Sequence, residues 1–234
     1  MATGEPWNLG TLQRMSTIEQ AHRVLREGVI EGTIPQGAHL RELHLARMLN
    51  TSRGTIREAV RQLVQEGLAE YEVHRGTFVR AFDVADRLDV YVAREAIEVF
   101  VAARLLERSE ELDLTGLEEA LADLRRASTG RRRPSERVIA ADVQFHIQLV
   151  ALGGSVRLDR AYETLAAETR MLLRHHPVYP WQTYVADHEE ILEALRRRDP
   201  RLPEIVGAHL RSSSDLIGGE LEARKQAVSS AAPA

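Results

Sequence analysis

The chain contains no cysteine among its 234 residues. That excludes disulfides and thiolate metal sites and fits a reducing cytoplasm. No apolar run approaches the ~20 residues needed to span a bilayer, and the chain does not open with the charged-then-apolar pattern of a secretory signal. An excess of positive charge is also missing. The formal net charge is −4, and between Ser16 and Arg80 nine arginines stand against eight acidic residues. Any recognition of a polyanion must therefore rest on where a few cations are aimed, not on bulk charge. No serine nucleophile arrangement is visible, which argues against covalent hydrolysis.

What is present is concentrated first between Leu40 and Arg80. Ile56, Ala59, Val60 and Leu63 recur at helical spacing and define one face. At about 100° per residue, Arg57 and Arg61 lie roughly opposite that face, one turn apart. Thr51 or Ser52 can cap this helix, with Arg53 and Thr55 in its first turn, and Gly67 follows its last. Backbone N–H groups and the helix dipole favour a phosphate at the capped end. A shorter stripe of Leu40, Leu43, Ala46 and Leu49 precedes it, with Asn50-Thr51 as the turn. Upstream, Ser16-Thr17-Ile18-Glu19 forms a capping box opening a helix with Ile18, Ala21, Leu25 and Val29 inward. Leu68–Val73 and Thr77–Arg80 read as strands around a basic tip, His74-Arg75-Gly76. The pattern predicts a winged helix-turn-helix, with Arg41, Arg47, Arg53, Arg57 and Arg61 outnumbering Glu42 and Glu58. Arginine suits a DNA-reading role because its planar fork pairs with a guanine edge or with phosphate oxygens.

Length leaves room for a second domain. The expected division is a tail over 1–15, the winged helix-turn-helix over 16–80, a linker over 81–85, an all-helical domain over 86–224, and a tail over 225–234. Breaks near Asp113, Ser128-Thr129-Gly130, Gly153-Gly154, His176-Pro177 to Pro180 and Asp199-Pro200 delimit about six helices in the second half. Residues 130–134, GRRRP, read as a basic loop, and His175-His176-Pro177 as another. The fold class expected is mainly α: three helices and a β-hairpin wing, then an antiparallel helical bundle.

Three helices of this bundle carry polar groups on their apolar faces. Asp142 and His146 sit four apart among Ile139, Val143, Phe145, Leu149 and Val150. His188 shares a face with Ile191, Leu192 and Leu195, and His209 with Leu202, Ile205, Val206 and Leu216-Ile217. Buried polar groups of this kind are costly unless paired or bound. Residues four apart can chelate one ion, and facing helices can supply the other donors. Imidazole and carboxylate together suit Zn²⁺ first, with Ni²⁺, Mn²⁺ or Fe²⁺ as alternatives. Arg94 lies beside the stripe Val90, Ile97, Val101 and Leu105. Its partner is either Glu98, one turn on, or the carboxylate of a ligand. Arg170 and Arg174 are further candidates for such a ligand.

The run from Gly32 to Val79 resembles the N-terminal domain of the GntR family of bacterial transcription regulators. The matching residues are Gly32, Ile34, Gly37, Leu40, Glu42, Leu45-Ala46, Ser52-Arg53, Ile56-Arg57-Glu58-Ala59-Val60, Leu63, Glu66-Gly67-Leu68 and His74-Arg75-Gly76-Thr77-Phe78-Val79. The resemblance implies that Arg53, Thr55 and Arg57 contact operator DNA and that Gly76 approaches the minor groove. Gly54 stands where many relatives carry a side chain. Arg94–Glu98, Asp142–His146, Asp187–Leu195 and Ala208–Leu210 resemble the FadR subfamily, with its FCD-type effector domain. That resemblance implies a divalent ion on Asp142, His146, His188 and His209, with a small organic acid beside it. Relatives often have Asn where this chain has Ser155, a position that can line the pocket.

The function expected is a metabolite-responsive DNA-binding regulator, a repressor by type and not an enzyme. It would be a homodimer on a palindromic operator, cytoplasmic and at the nucleoid through its DNA. The DNA-facing set is Ser52, Arg53, Thr55, Arg57, Arg61, His74, Arg75 and Gly76, and the effector-facing set is Arg94, Ser155, Arg170 and Arg174. The alternatives are a metal-sensing regulator, a regulator whose ion is purely structural, and a metal-dependent hydrolase.

Overall fold

The computed structural model describes residues 15–129, 135–174 and 181–215. The basic loop 130–134, His175-His176-Pro177, Leu216-Ile217 and nearly all of both expected tails lie outside the described residues. Within them the order is α1 (Thr17–Ile30), α2 (Glu42–Met48), α3 (Arg53–Gln65), β1 (Ala69–Glu72), β2 (Gly76–Val79), α4 (Val84–Glu107), α5 (Thr115–Ser128), α6 (Glu136–Leu152), α7 (Val156–Arg174) and α8 (Trp181–Arg196). A further helix, α9, covers 202–215. The mainly helical plan, with a small hairpin after the helix-turn-helix, is as expected.

Local chemistry explains the ends. The Ser16 hydroxyl accepts from the Glu19 N–H at 3.1 Å, while the Glu19 carboxylate accepts from the Ser16 N–H at 2.6 Å. Gly67 adopts φ +74 after α3, which only glycine takes without cost. The apolar faces of α1 and α3 are buried as the spacing requires. One detail differs in α2, where Leu45 and Ala46 are buried and Leu43 is 48% exposed. Leu40 is buried too, but from non-helical backbone before α2. A period counted from Leu40 therefore does not carry into the helix.

The hairpin pairs Ala69 with Val79 and Glu72 with Gly76, so its first strand is shorter than expected and its second begins one residue earlier, at Gly76. A bridge from His39 to Phe78 gives it a third edge, held by Leu40 N–H to Thr77 O at 2.8 Å and Val79 N–H to Ala38 O at 2.9 Å. The His39 ring stacks on Phe78 with centroids 4.6 Å apart.

The two halves share packing. Val90 of α4 and Ala167, Met171 and Leu172 of α7 belong to the N-terminal core with Ile56, Leu63 and Leu68. In the expected linker, Phe82 is buried in that core, and Val84 and Ala85 already belong to α4. Gln36 bridges the halves, donating to Met171 O and accepting from Phe82 N–H, each at 3.3 Å. Arg80 reaches Glu168 at 2.9 Å and Asp86 at 3.2 Å. Arg174 donates to Ile30 O at 3.0 Å.

Gly76 has φ +105, and a Cβ there would fall 2.6 Å from His39 Nε2. Gly76→Ala is expected to lower stability by about 1–3 kcal/mol, read as a drop in melting temperature. His39→Ala in the same chain should recover the steric part only. An unchanged melting temperature would show that the wing tip is not constrained as described.

Candidate DNA-reading surface and metal centre

Helix α3 begins at Ser52, whose hydroxyl accepts from Thr55 N–H at 3.0 Å and lies 2.9 Å from the Thr55 hydroxyl. Arg53, Arg57 and Arg61 then project from its outer side, each more than half exposed. None is idle in the free protein. Arg57 pairs with Glu42 at 3.2 Å, Arg53 approaches the same carboxylate at 3.6 Å, and Arg61 pairs with Glu58. On the hairpin, Arg75 pairs with Glu72 and lies over the Phe78 ring at 5.1 Å. His74 is exposed at the tip with φ +64. Glu42, read from the sequence as one of two acids among these arginines, gathers two of them, a pairing the sequence did not reveal because Glu42 lies on a different helix.

The second site lies within the helical domain. Asp142, His146, His188 and His209 are all at most 5% exposed. Helices α6, α8 and α9 bring the three imidazoles together, with a ring nitrogen from each inside a 4.8 Å sphere of mutual distance. His146 Nε2 and His209 Nε2 are 3.3 Å apart, and His188 Nε2 is 3.3 Å from Asp142 Oδ1.

The partners of the opposite ring nitrogens indicate which atoms face the cluster. His146 Nδ1 lies 2.6 Å from Glu98 Oε2, and His209 Nδ1 lies 3.5 Å from Asp187 Oδ2. A carboxylate facing Nδ1 favours the proton there and leaves the lone pair on Nε2. Two such lone pairs facing each other at 3.3 Å repel unless a cation lies between them. With metal–nitrogen bonds of roughly 2.0–2.1 Å, neighbouring donors of a tetrahedral shell sit about 3.3–3.4 Å apart. The three imidazoles and their spacing fit a divalent ion, while Asp142, the fourth residue expected, lies outside that group of three and reaches it at His188 Nε2. The ion would supply a Lewis-acid anchor for an anionic ligand.

Glu98 is the hub behind this cluster. Arg94 Nε donates to Glu98 Oε1 at 3.0 Å and to the Tyr162 hydroxyl oxygen at 3.2 Å, and the Tyr162 hydroxyl donates to the same Glu98 oxygen. Burial opposes ionisation of Glu98, yet His146 and Arg94 hold its pKa at about 2. Asp142 is pushed up by burial, and burial followed by the neighbouring His188 pushes His209 down to about 3. Arg94 is thus paired with Glu98, the first of its two expected partners. Its Nη2 is buried and meets no acceptor among the described residues.

The remaining effector candidates sit elsewhere. Arg170 and Arg174 both pair with Glu136, and Arg174 also reaches the end of α1. Ser155 accepts from Leu158 N–H at 3.4 Å at the start of α7. A surface cleft of about 510 Å³ reaches His209 and is lined by Asp187, Glu190, Glu204, Arg201 and Ile205. Tyr162 was missed from sequence because nothing local links it to the histidines; Asp187 stands beside His188 in the Asp187–Leu195 motif, but its approach to His209, on another helix, carries no local signal.

Known proteins resemble the chain over both halves. Residues 17–79 match the family described as bacterial regulatory proteins, gntR family, and residues 89–212 match the FCD domain. A protein of Paenarthrobacter nicotinovorans named "Probable D-xylose utilization operon transcriptional repressor" is 30% identical over 217 residues, covering 89% of this chain and 93% of that one. The HTH-type transcriptional repressor RspR of Escherichia coli (strain K12) is 28% identical over 203 residues, covering 85% and 88%. A GntR transcriptional regulator from Rhodococcus sp. RHA1 superposes with a TM-score of 0.77 at 26% identity, covering 88% of this chain and 99% of that one.

Asp187→Asn, at the partly open side of the cluster, is expected to weaken divalent-metal binding about tenfold, because partners of this kind orient ligating imidazoles. Glu98→Gln should weaken it further and also destabilise the fold by leaving Arg94 buried without an anion. Competition titration against a chromogenic chelator measures both, and unchanged affinity in Asp187→Asn would detach that carboxylate from the site.

Proposed function

The chain belongs to the gntR family of bacterial regulatory proteins and carries an FCD domain, and from that premise we propose how its two sites work together. It is a DNA-binding transcriptional regulator, not an enzyme, and the two relatives cited above carry the word repressor in their names. No helix among the described residues is long and apolar enough to cross a membrane. On our reading it acts as a homodimer on a palindromic operator in the cytoplasm. Ser52, Arg53, Thr55, Arg57 and Arg61 of α3 read the major groove. His74, Arg75 and Gly76 approach the adjoining backbone and minor groove.

Asp142, His146, His188 and His209 hold one divalent ion, with Zn²⁺ first among the alternatives. The observation that carries this is the pair of imidazole Nε2 atoms 3.3 Å apart, with a carboxylate behind each ring. A small carboxylate binds beside the ion, and the buried Arg94 Nη2 is the group placed to take it. Ser155 lies at the start of the helix that carries Tyr162. Arg174 acts further off, at the seam with the DNA-binding half, where ligand occupancy can be felt, and Arg170 shares its partner Glu136. Binding shifts operator affinity only if the ligand prefers one of two arrangements of the halves.

A metal-sensing reading draws on one specific feature. The cleft at His209 carries three carboxylates against one arginine, which suits entry of a divalent cation better than of an organic acid. The two readings separate on whether metal alone, or metal with acid, changes DNA binding.

One tightly bound ion per chain is expected in the purified protein by elemental analysis, and none in His146→Ala. Small carboxylic acids screened by thermal shift should stabilise the former and not the latter. A metal-free wild-type protein returns the three histidines to ordinary core roles. For the DNA half, Arg57→Ala is expected to weaken binding to a duplex selected from a random pool by at least about tenfold, with melting unchanged. Near-normal affinity by fluorescence anisotropy would sink the α3 assignment.

A further inference from the structure

Six glycines fall among the described residues up to Arg80, and five of them have a reason in the fold. Gly32, Gly37, Gly67 and Gly76 take positive φ, and at Gly28 a Cβ would stand 3.2 Å from the Ile34 side chain. Gly54 has neither reason. It lies within α3 on helical backbone and is exposed. Beyond its chain neighbours, the atom nearest to the place of a Cβ is Ser52 Oγ at 3.7 Å, an ordinary contact. Glycine is also among the weakest helix formers, so the fold would accept a side chain here and gain from it. At about 100° per residue, Gly54 stands within about 20° of Arg61 and opposite the buried Leu63. It is the centre of the outer face of α3, with Arg57 and Glu58 to either side. The flanking side chains are drawn away from it. The Thr55 hydroxyl lies 2.9 Å from Ser52 Oγ, Arg53 and Arg57 turn to Glu42, and Arg61 turns to Glu58.

We infer that Gly54 is a specificity-determining residue of α3, a bare seat for the 5-methyl group of a thymine in the operator. The inference deepens the reading of α3 as the helix that enters the major groove, and rests on it. The first turns of such a helix come nearest the base edges. A missing side chain at the centre of that face lets the backbone itself approach. What meets the base is then a Cα, which offers no strong hydrogen bond. Guanine, adenine and cytosine show acceptors or amino groups at the major-groove edge, and these would lose water against Gly54 with nothing in return. Thymine also shows a methyl group there, which gains by being buried. The hydrogen-bonding work is left to Arg53 and Arg57 on either side.

The test exchanges one methyl group between protein and DNA. Full-length protein is titrated by fluorescence anisotropy with a duplex selected from a random pool, each thymine replaced in turn by deoxyuridine. At one thymine of the site the wild type is expected to lose affinity about fourfold. Gly54→Ala should bind the unmodified duplex at least about tenfold more weakly than wild type, because its methyl group and that of thymine claim the same space. It should return to near wild-type affinity when that same thymine is deoxyuridine, a rescue that a misfolded protein cannot show. Its melting temperature should equal or exceed that of wild type. Equal affinity of wild type and Gly54→Ala for the unmodified duplex overturns the proposal, as does a weakening that no deoxyuridine relieves. A lowered melting temperature would assign the glycine to the fold and overturn it too. If Arg57→Ala also binds normally, the reading of α3 falls with it; if only Gly54→Ala does, that reading stands.

Discussion

Glu98 is the constraint around which the helical domain is organised. Its side chain is fully buried and ionised, a state too costly to persist without compensation. Compensation comes from three directions: Arg94 on the same helix, Tyr162 from α7 and His146 from α6. Each partner is thereby fixed as well. Tyr162 ties α7 to α4. His146 is turned so that its other nitrogen faces His209. A single carboxylate thus ties three helices together and sets the orientation of one imidazole of the histidine cluster.

Because α7 takes part in that network, the network has a route to the DNA-binding half. Near its start α7 carries Tyr162. Further along it carries Glu168, Met171, Leu172 and Arg174, which bond to or pack against the N-terminal domain. The span from Tyr162 to Arg174 is about three turns, roughly 18 Å of stiff helix. A shift at Glu98 need not travel through a flexible connection, since Phe82 and the first residues of α4 are packed rather than loose. What is required is that α7 have two positions, each with its own set of contacts at the seam. The seam suits this. It combines a small apolar patch with ion pairs and main-chain hydrogen bonds that can exchange partners at modest cost.

Much of this was legible in the sequence where the signal is local. Ile56, Ala59, Val60 and Leu63 are one helix face by spacing alone, and they are buried together. Asp142, His146, His188 and His209 stand out because polar groups on apolar stripes need a reason, and the fold brings the three histidines together. Glu98 was visible as an Arg94 partner because the two are four apart. It was not visible as the partner of His146, which lies 48 residues away. Separation along the chain likewise hid the bonds of Tyr162 to Glu98 and of Glu42 to Arg57. In α2, only seven residues long, too few turns exist for periodicity to outvote an extended residue such as Leu40, so Leu43 was placed inside and Leu45 overlooked. Sequence pattern reports faces. Which faces meet is settled by packing across the whole chain.

The near-neutral charge of the DNA-binding half follows the same logic. Arg53, Arg57, Arg61 and Arg75 each face a carboxylate in the free protein. Such exposed pairs contribute little to stability, so phosphate or a guanine edge can replace the acid readily. The acid nonetheless holds the guanidinium in an extended pose, which reduces the rotamer freedom lost on binding. It also remains beside the DNA afterwards, where it repels phosphate unless the arginine it released is fully engaged. A bare cluster of arginines would bind any duplex. On the proposed reading, one shadowed by Glu42 and Glu58 would bind well only where each fork finds a matching base or phosphate, so part of the discrimination would come from the repulsion itself.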